Sequence, residues 1–382
     1  GFARGMMETL HQDVKATHIL LMDDDVLVLP ESIRRTYNLL KLARPEYHDH
    51  FISGAMLYYE DPARQHEDIG TVNQLCYYRT LKRPFDHELL AENLENESFY
   101  PAHQNAYAAW WFCCIPMSTI KKIGLPMPFF IRVDDMEYSL RAKAQFITMN
   151  GVCIWHMGFT TKYNAAFDLY QQYRNWLISQ SASEVIQDVR IIPSLWSQFR
   201  VELLRFSYNS AELIVKALED YLKGPEYLKK LSGEENTQEI FKLNDEFIPL
   251  EQIEGGESFH IDESMEDLPR KFIDRVLMKV TWNGHILTPK FMERGGIVPV
   301  GYGAAMQPQK ITLHTRLIAV NTFNRTGVEH IRDRKRFHEL LRRYRKAEKT
   351  LKKHGKKIRA EWREAAEELT SERFWQEYLR LD

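Results

Sequence analysis

Apolar residues at helical spacing open the chain. Met6, Met7, Leu10 and Val14 form one stripe, which predicts a helix beginning around Gly1-Phe2-Ala3-Arg4-Gly5. His18 to Met22 is an unbroken apolar run, short enough for a buried parallel strand. It stops at Asp23-Asp24-Asp25. Pro30 then starts a helix whose Ile33, Tyr37 and Leu40 share a face. Phe51 to Tyr59 reads as a strand, residues 60–105 as long polar loops, and Trp110 to Pro116 as an apolar aromatic segment. Gly124, Pro126 and Pro128 mark turns. Asp134 to Phe146 predicts a helix, and Val152 to Trp155 a strand ending at His156. Residues 166–231 are mainly helical, 232–270 acidic and loop-rich, and 271–330 strand-like with Gly/Pro turns. Residues 331–382 are strongly helical. The organisation expected is 1–165, 166–330 and 331–382, without internal repeats.

The length of 382 residues agrees with two or three domains at about 150 residues each. With 44% hydrophobic and 27% charged residues, the chain can build a core and is not disordered. Lys+Arg 51 against Asp+Glu 53 excludes a generally basic nucleic-acid binder. The net charge of −2 hides a division, because residues 331–364 hold 15 Lys/Arg and 5 Asp/Glu. Without that +10 the rest of the chain stands at −12. Phe337, Leu340, Leu341 and Tyr344, followed by Leu351, Ile358 and Trp362, make the basic stretch an amphipathic helix. Such a helix serves an anionic membrane surface, or packs its apolar stripe on the rest of the chain.

Cys76, Cys113, Cys114 and Cys153 form no C-x-x-C pair, which excludes a zinc ribbon and disfavours a disulfide scaffold. Buried thiols in a reducing cytosol are expected. No apolar run approaches the ~18 residues of a spanning helix.

Four clusters could carry chemistry. In an extended backbone Asp23 and Asp25 share a face and Asp24 points away. Paired carboxylates after a strand suit Mg2+ or Mn2+ with substrate phosphates, and equally suit a solvated acidic turn. Asp134 and Glu137 have the spacing of a capping box, which leaves Asp135 unexplained. In the first helical turn the dipole would favour an ionised Asp135, ready to accept a proton. His156 is either a structural histidine or a third ligand beside the two carboxylates. Trp110 and Trp111 offer indole faces for a sugar or for core packing; in a strand only one of them would face a ligand. Gly301-Tyr302-Gly303 and Gly255-Gly256 lack a full dinucleotide pattern and read as turns.

In this order, these motifs resemble the galactofuranosyltransferases of glycosyltransferase family 2, the polymerising mycobacterial type most closely. The matching pieces are Gly1-Phe2-Ala3-Arg4-Gly5, Met22-Asp23-Asp24-Asp25-Val26, Trp110-Trp111-Phe112-Cys113, the run from Pro128 to Tyr138, Trp155-His156 and Tyr173-Arg174-Asn175. They span about residues 1–180. The resemblance implies an α/β chain with the GT-A nucleotide-sugar-binding fold, followed by a mostly helical carboxy-terminal region. It implies inverting, metal-dependent transfer of galactofuranose from UDP-galactofuranose to a growing cell-surface glycan. Asp23, Asp25 and His156 would hold Mn2+ or Mg2+ on the pyrophosphate, and Asp135 would be the general base. Trp110, Trp111, Asp134 and Glu137 would meet the acceptor; Gly1, Arg4 and Asp24 would meet the donor.

Partners would be a UDP-sugar, a glycan or lipid-linked glycan, and an anionic membrane surface, with no nucleic acid. The location would be cytoplasmic, peripheral on the inner face of the membrane. Val133 departs from the family, which has an aromatic there. The early strands and uracil-reading aspartate of a GT-A domain do not precede Gly1, so the domain reads as amino-terminally truncated. A transferase for another sugar, or a noncatalytic glycan- or membrane-binding module, are the alternatives.

Overall fold

The computed structural model describes residues 1–12, 15–82, 84–98, 105–159, 163–254, 256, 272–287, 294–303, 308–321 and 324–381. The first helix, α1 (Phe2–His11), buries Ala3, Met6 and Met7 as its stripe requires; Val14 lies outside the described residues. Strand β1 (His18–Leu21) follows, then β2 (Leu27–Val28) and α2 (Pro30–Leu42). Pro30 takes the first helical turn of α2, where its missing N–H costs nothing. The buried face of α2 is not the apolar one. Ser32 and Thr36 face inward, while Ile33 and Tyr37 are exposed. The reason is local: the Ser32 hydroxyl donates to the Cys153 carbonyl at 2.8 Å and accepts from the Cys153 N–H at 3.2 Å. At Cys153 the two-residue β2 no longer runs beside β12, so the backbone there needs such partners.

The predicted strand 51–59 is two strands, β3 (Phe51–Ser53) and β4 (Ala55–Tyr58), in different sheets. Gly54 separates them because the Phe112 ring lies against it; a Cβ there would stand 2.5 Å from Phe112 Cδ1. Residues read as loops hold β5 (Arg64–Glu67), β6 (Gly70–Val72), β7 (Tyr78–Thr80), β8 (Phe85–Asp86) and α3 (Leu90–Ser98). Their polar character misled, since in β5 the buried positions are Gln65 and Glu67. Next come β9 (Ala106–Tyr107), β10 (Cys113–Pro116), α4 (Met117–Ile123), α5 (Asp134–Ala142), β11 (Phe146–Ile147) and β12 (Cys153–His156). Helix α5 stops at Ala142, short of the predicted Phe146, with Lys143 in the left-handed region.

These strands form sheets ordered β1-β10-β3-β11, β2-β12-β4-β5-β8 and β7-β6-β9. The expected parallel setting of β1 is corrected: it pairs antiparallel with β10 and has its other edge outside the sheet order. Parallel pairing occurs between β3 and β11 and between β4 and β12. The fold is mixed α/β.

A π-helical stretch, Ala166–Gln171, runs into α6 (Gln172–Ala182). Then follow α7 (Ile191–Leu204), α8 (Tyr208–Tyr221), α9 (Pro225–Lys230), α10 (Gly233–Phe241), β13 (Ile248–Pro249) and α11 (Phe272–Thr281). The chain continues with β14 (Arg294–Gly301), α12 (Pro308–Ile311), β15 (His314–Asn321), β16 (Thr326–Ile331), α13 (Arg334–Leu369) and α14 (Glu372–Leu379). A fourth sheet has the order β13-β16-β15-β14. Gly301 to Gly303 closes β14 as a turn; Gly255, Ala304 and Ala305 lie outside the described residues.

The sequence left two fates open for the basic helix, and α13 takes the packed one. Phe337, Leu340, Leu341, Tyr344, Ile358 and Trp362 are buried. Tyr344 stacks on Phe199 at 4.5 Å, and Trp362 donates its indole N–H to the Tyr221 carbonyl at 3.2 Å. Arg336 and Arg343 pair with Glu212, and Arg343 also with Glu219. One apolar cluster thereby joins Ala3 to Trp375. The four cysteines are free; burial pushes the Cys76 and Cys114 thiols up to about 12, so they are inert packing groups. Among the described residues no helix is long and apolar enough to cross a membrane.

Candidate functional site

Strand β1 ends at Leu21 and the chain turns at Asp24 and Asp25. The alternation expected to align Asp23 with Asp25 therefore does not extend that far. Asp24 and Asp25 are exposed and Asp23 is half-buried. Strand β12 delivers His156, which is buried. Its Nδ1–H donates to the Met157 carbonyl at 2.6 Å, and its Nε2 stands 3.4 Å from Asp25 Oδ1. Phe159 stacks on the imidazole at 5.1 Å. With Nδ1 held as the donor, Nε2 is the ring atom that faces the carboxylate. Two such electron-pair donors share a proton or a cation, and a backbone-anchored Nδ1 is what fixes a metal-binding histidine.

Asp25 and His156 thus fit two positions of a divalent-ion shell. Among the described residues no three ligating side chains close around one point. Asp23 lies near enough to the second carboxylate group for its charge to raise the pKa of both Asp134 and Asp135.

That group stands at the start of α5. Arg132 and Val133 enter it with φ of +67° and +73°. No side chain caps α5, so the capping box is not formed. Glu137 is instead fully buried, its carboxylate on the Arg141 guanidinium at 2.7 Å and on the Ser183 hydroxyl at 3.3 Å. Arg141 also holds the Leu125 carbonyl at 3.0 Å. Asp135 Oδ1 accepts the Met136 N–H at 2.7 Å. Burial, then the Asp23 charge, pushes Asp134 up to about 6. Burial, then the charges of Asp134, Glu67 and Asp23, holds Asp135 well above the usual carboxylate range. The helix dipole was expected to keep Asp135 ionised; burial among carboxylates outweighs it. Such a carboxylate is a stronger base than an ordinary aspartate.

Glu67 is the residue that sequence reasoning missed. It is buried on β5 and hydrogen-bonded to the hydroxyl of Tyr107 on β9. Burial, then the Asp68 charge, pushes it up to about 8. Tyr78 on β7 feels Arg132, Asp168, Glu67 and Asp135 and belongs to the same surroundings. No motif marks these residues; only tertiary packing brings them near α5.

Trp110 and Trp111 precede β10, so the opposite-face expectation for a strand does not apply. Both are buried. Trp111 donates its indole N–H to the Gly54 carbonyl at 3.1 Å and packs near His66 and Phe159. Trp110 packs on Phe2 at 5.0 Å and Tyr138 at 5.8 Å, and its buried indole N–H has no partner among the described residues. A buried donor without an acceptor is unusual in a native fold. Gly1 is the N-cap of α1 and exposed; Arg4 is exposed on that helix beside Glu8 at 3.6 Å. The Gly1 to Gly5 segment thus opens the helix that the apolar stripe predicts.

Comparison with known proteins gives two relatives. The chain is 30% identical over 241 residues to galactofuranosyltransferase GlfT2 of Mycolicibacterium smegmatis. It is 28% identical over 243 residues to galactofuranosyltransferase GlfT2 of Mycobacterium tuberculosis. Each alignment takes in 60% of this chain but 36% and 37% of the relatives, so the chain spans little more than a third of their length. No family model matches. The resemblance carried by the motifs is thus also present as overall sequence identity.

Proposed function

We propose that the chain carries the catalytic centre of an inverting, metal-dependent glycosyltransferase of the GT-A type. In this reading it moves galactofuranose from UDP-galactofuranose to a growing cell-surface glycan. The observation that carries the reading is Asp135. It sits at the start of α5 with one oxygen fixed by the Met136 N–H, and its pKa is raised by burial and by Asp134 and Glu67. The relatives' names support the sugar and the reaction class.

The chemistry assigned to Asp135 is proton acceptance from the acceptor hydroxyl as its oxygen attacks the anomeric carbon. The bond from that carbon to UDP breaks in the same displacement, which inverts the centre. Asp25 and His156 would hold Mn2+ or Mg2+, which when bound supplies charge neutralisation for the departing diphosphate. Trp110 offers its unused N–H, and Asp134 its carboxylate, to the acceptor. Gly1, Arg4 and Asp24, each exposed, are the residues proposed for the donor. Glu137, enclosed with Arg141, supports α5 rather than meeting a ligand.

Asp135→Asn is the test. Transfer in an assay with UDP-galactofuranose should be abolished while UDP binding persists; normal turnover in this variant removes Asp135 as base.

We place the protein peripherally on an anionic inner membrane face, held by charge alone. The apolar stripe of α13 is buried, while Arg342, Arg345, Lys346, Lys349, Lys353 and Lys356 are exposed. Attraction near such a surface is worth about 1 kcal/mol per basic residue. Sedimentation with phosphatidylserine vesicles should fall when Lys346, Lys349 and Lys353 are changed to Glu. Equal binding to neutral vesicles would refute the placement.

A further inference from the structure

The turn that leads into α5 is held in a conformation that its side chains disfavour. Arg132 and Val133 have consecutive φ of +67° and +73°. A β-branched residue there is a steric outlier, and such strain persists only where the surroundings impose it. Asp134 and Asp135 follow directly, so the dihedrals at 132 and 133 set where both carboxylates point.

One helical element grips this turn twice. Asn175, buried in α6, donates from Nδ2 to the carbonyls of Ile131 at 3.0 Å and Arg132 at 2.8 Å. Asp168, in the π-helical stretch, lies 2.9 Å from the Arg132 guanidinium. Backbone and side chain of one strained residue are thus tied to the same helix. The Asn175 amide is itself oriented, because its Oδ1 accepts from Arg174 Nε at 3.2 Å and NH2 at 3.1 Å. Arg174 is fixed in turn by Gln171 at 2.5 Å and Asn236 at 2.9 Å. A π-helical stretch is a feature enriched at functional sites.

We propose that Asn175 is a positioning residue: it touches no substrate, and it clamps the 131–133 turn so that Asp135 meets the acceptor hydroxyl. The proposal rests on Asp135 being the base, as proposed above. Seen this way, the Tyr173-Arg174-Asn175 motif is the buried end of the catalytic loop's support.

Asn175→Asp separates the two halves of the amide. The variant keeps the volume and the acceptor for Arg174, but offers no donor to the two carbonyls. In the full chain, N175D should stay folded, with hydrogen exchange accelerated over residues 130–137 and unchanged in α8. With UDP-galactofuranose and a glycan acceptor, kcat should fall on the order of a hundredfold while the donor KM is kept. Parent-like exchange together with parent-like kcat overturns the clamp, as does a loss confined to KM. If the parent chain transfers no sugar, the function proposed above fails, and the exchange measurement alone decides the clamp. Should N175D not fold, Asn175→Ala removes the donor without setting a carboxylate beside the two carbonyls. Faster exchange over 130–137 in N175A supports the clamp, and unchanged exchange overturns it.

Discussion

His156 and Asp25 face each other with Nε2 and Oδ1 3.4 Å apart, and the Met157 carbonyl fixes the far side of the imidazole. This pair gives the metal reading a direct test. Mn2+ at a hundredfold excess over its dissociation constant should raise unfolding free energy by about 2.7 kcal/mol if it binds only the folded chain. His156→Ala and Asp25→Ala should each lose most of that gain. Thermal melts with and without Mn2+ check it, and equal metal stabilisation in both variants would move the site elsewhere.

Titration gives a second test. Burial and the Asp134 charge hold Asp135 above the ordinary range, so the acid limb of kcat/KM should lie above ~4, the usual aspartate value. Asp134→Asn removes a charge that raises Asp135 and should move this limb to lower pH. A limb that stays in place would detach it from Asp135.

Glu67 acts on stability in a defined window. Its folded pKa is about 8 against an ordinary 4.5. The folded state therefore retains a proton that the unfolded chain releases. Its contribution is fully present below 4.5 and is lost as pH rises through about 8. Glu67→Gln should flatten that decline, measured by urea unfolding at pH 5 and pH 8. Parallel profiles for variant and parent would refute the shift.

The tryptophans should separate on substitution. Trp111→Phe strands the Gly54 carbonyl, a loss of about 1–3 kcal/mol for an unmade buried hydrogen bond. Trp110→Phe removes a donor that has no partner among the described residues, so it should cost less stability and raise the acceptor KM instead. Denaturation midpoints and acceptor kinetics compare the two. A larger midpoint loss for Trp110→Phe would reverse the assignment.

The chain's local signals act within a turn or a strand, and that is where the sequence was readable. Pro30 starts α2, the stripe from Phe337 to Trp362 makes α13, and the motifs around Asp23, Asp135 and His156 carry the resemblance to the galactofuranosyltransferases. Pairing direction, facing and proton affinity are set between segments far apart along the chain. Antiparallel β1, the inward Ser32, the break at Gly54 and the meeting of Asp25 with His156 all depend on what lies opposite. Glu67 reaches Asp135 only through tertiary packing, and Asn175 reaches Ile131 across 44 positions. The sequence determined which groups are available; the tertiary structure alone decided which of them meet, because burial and neighbouring charge are properties of the packed chain.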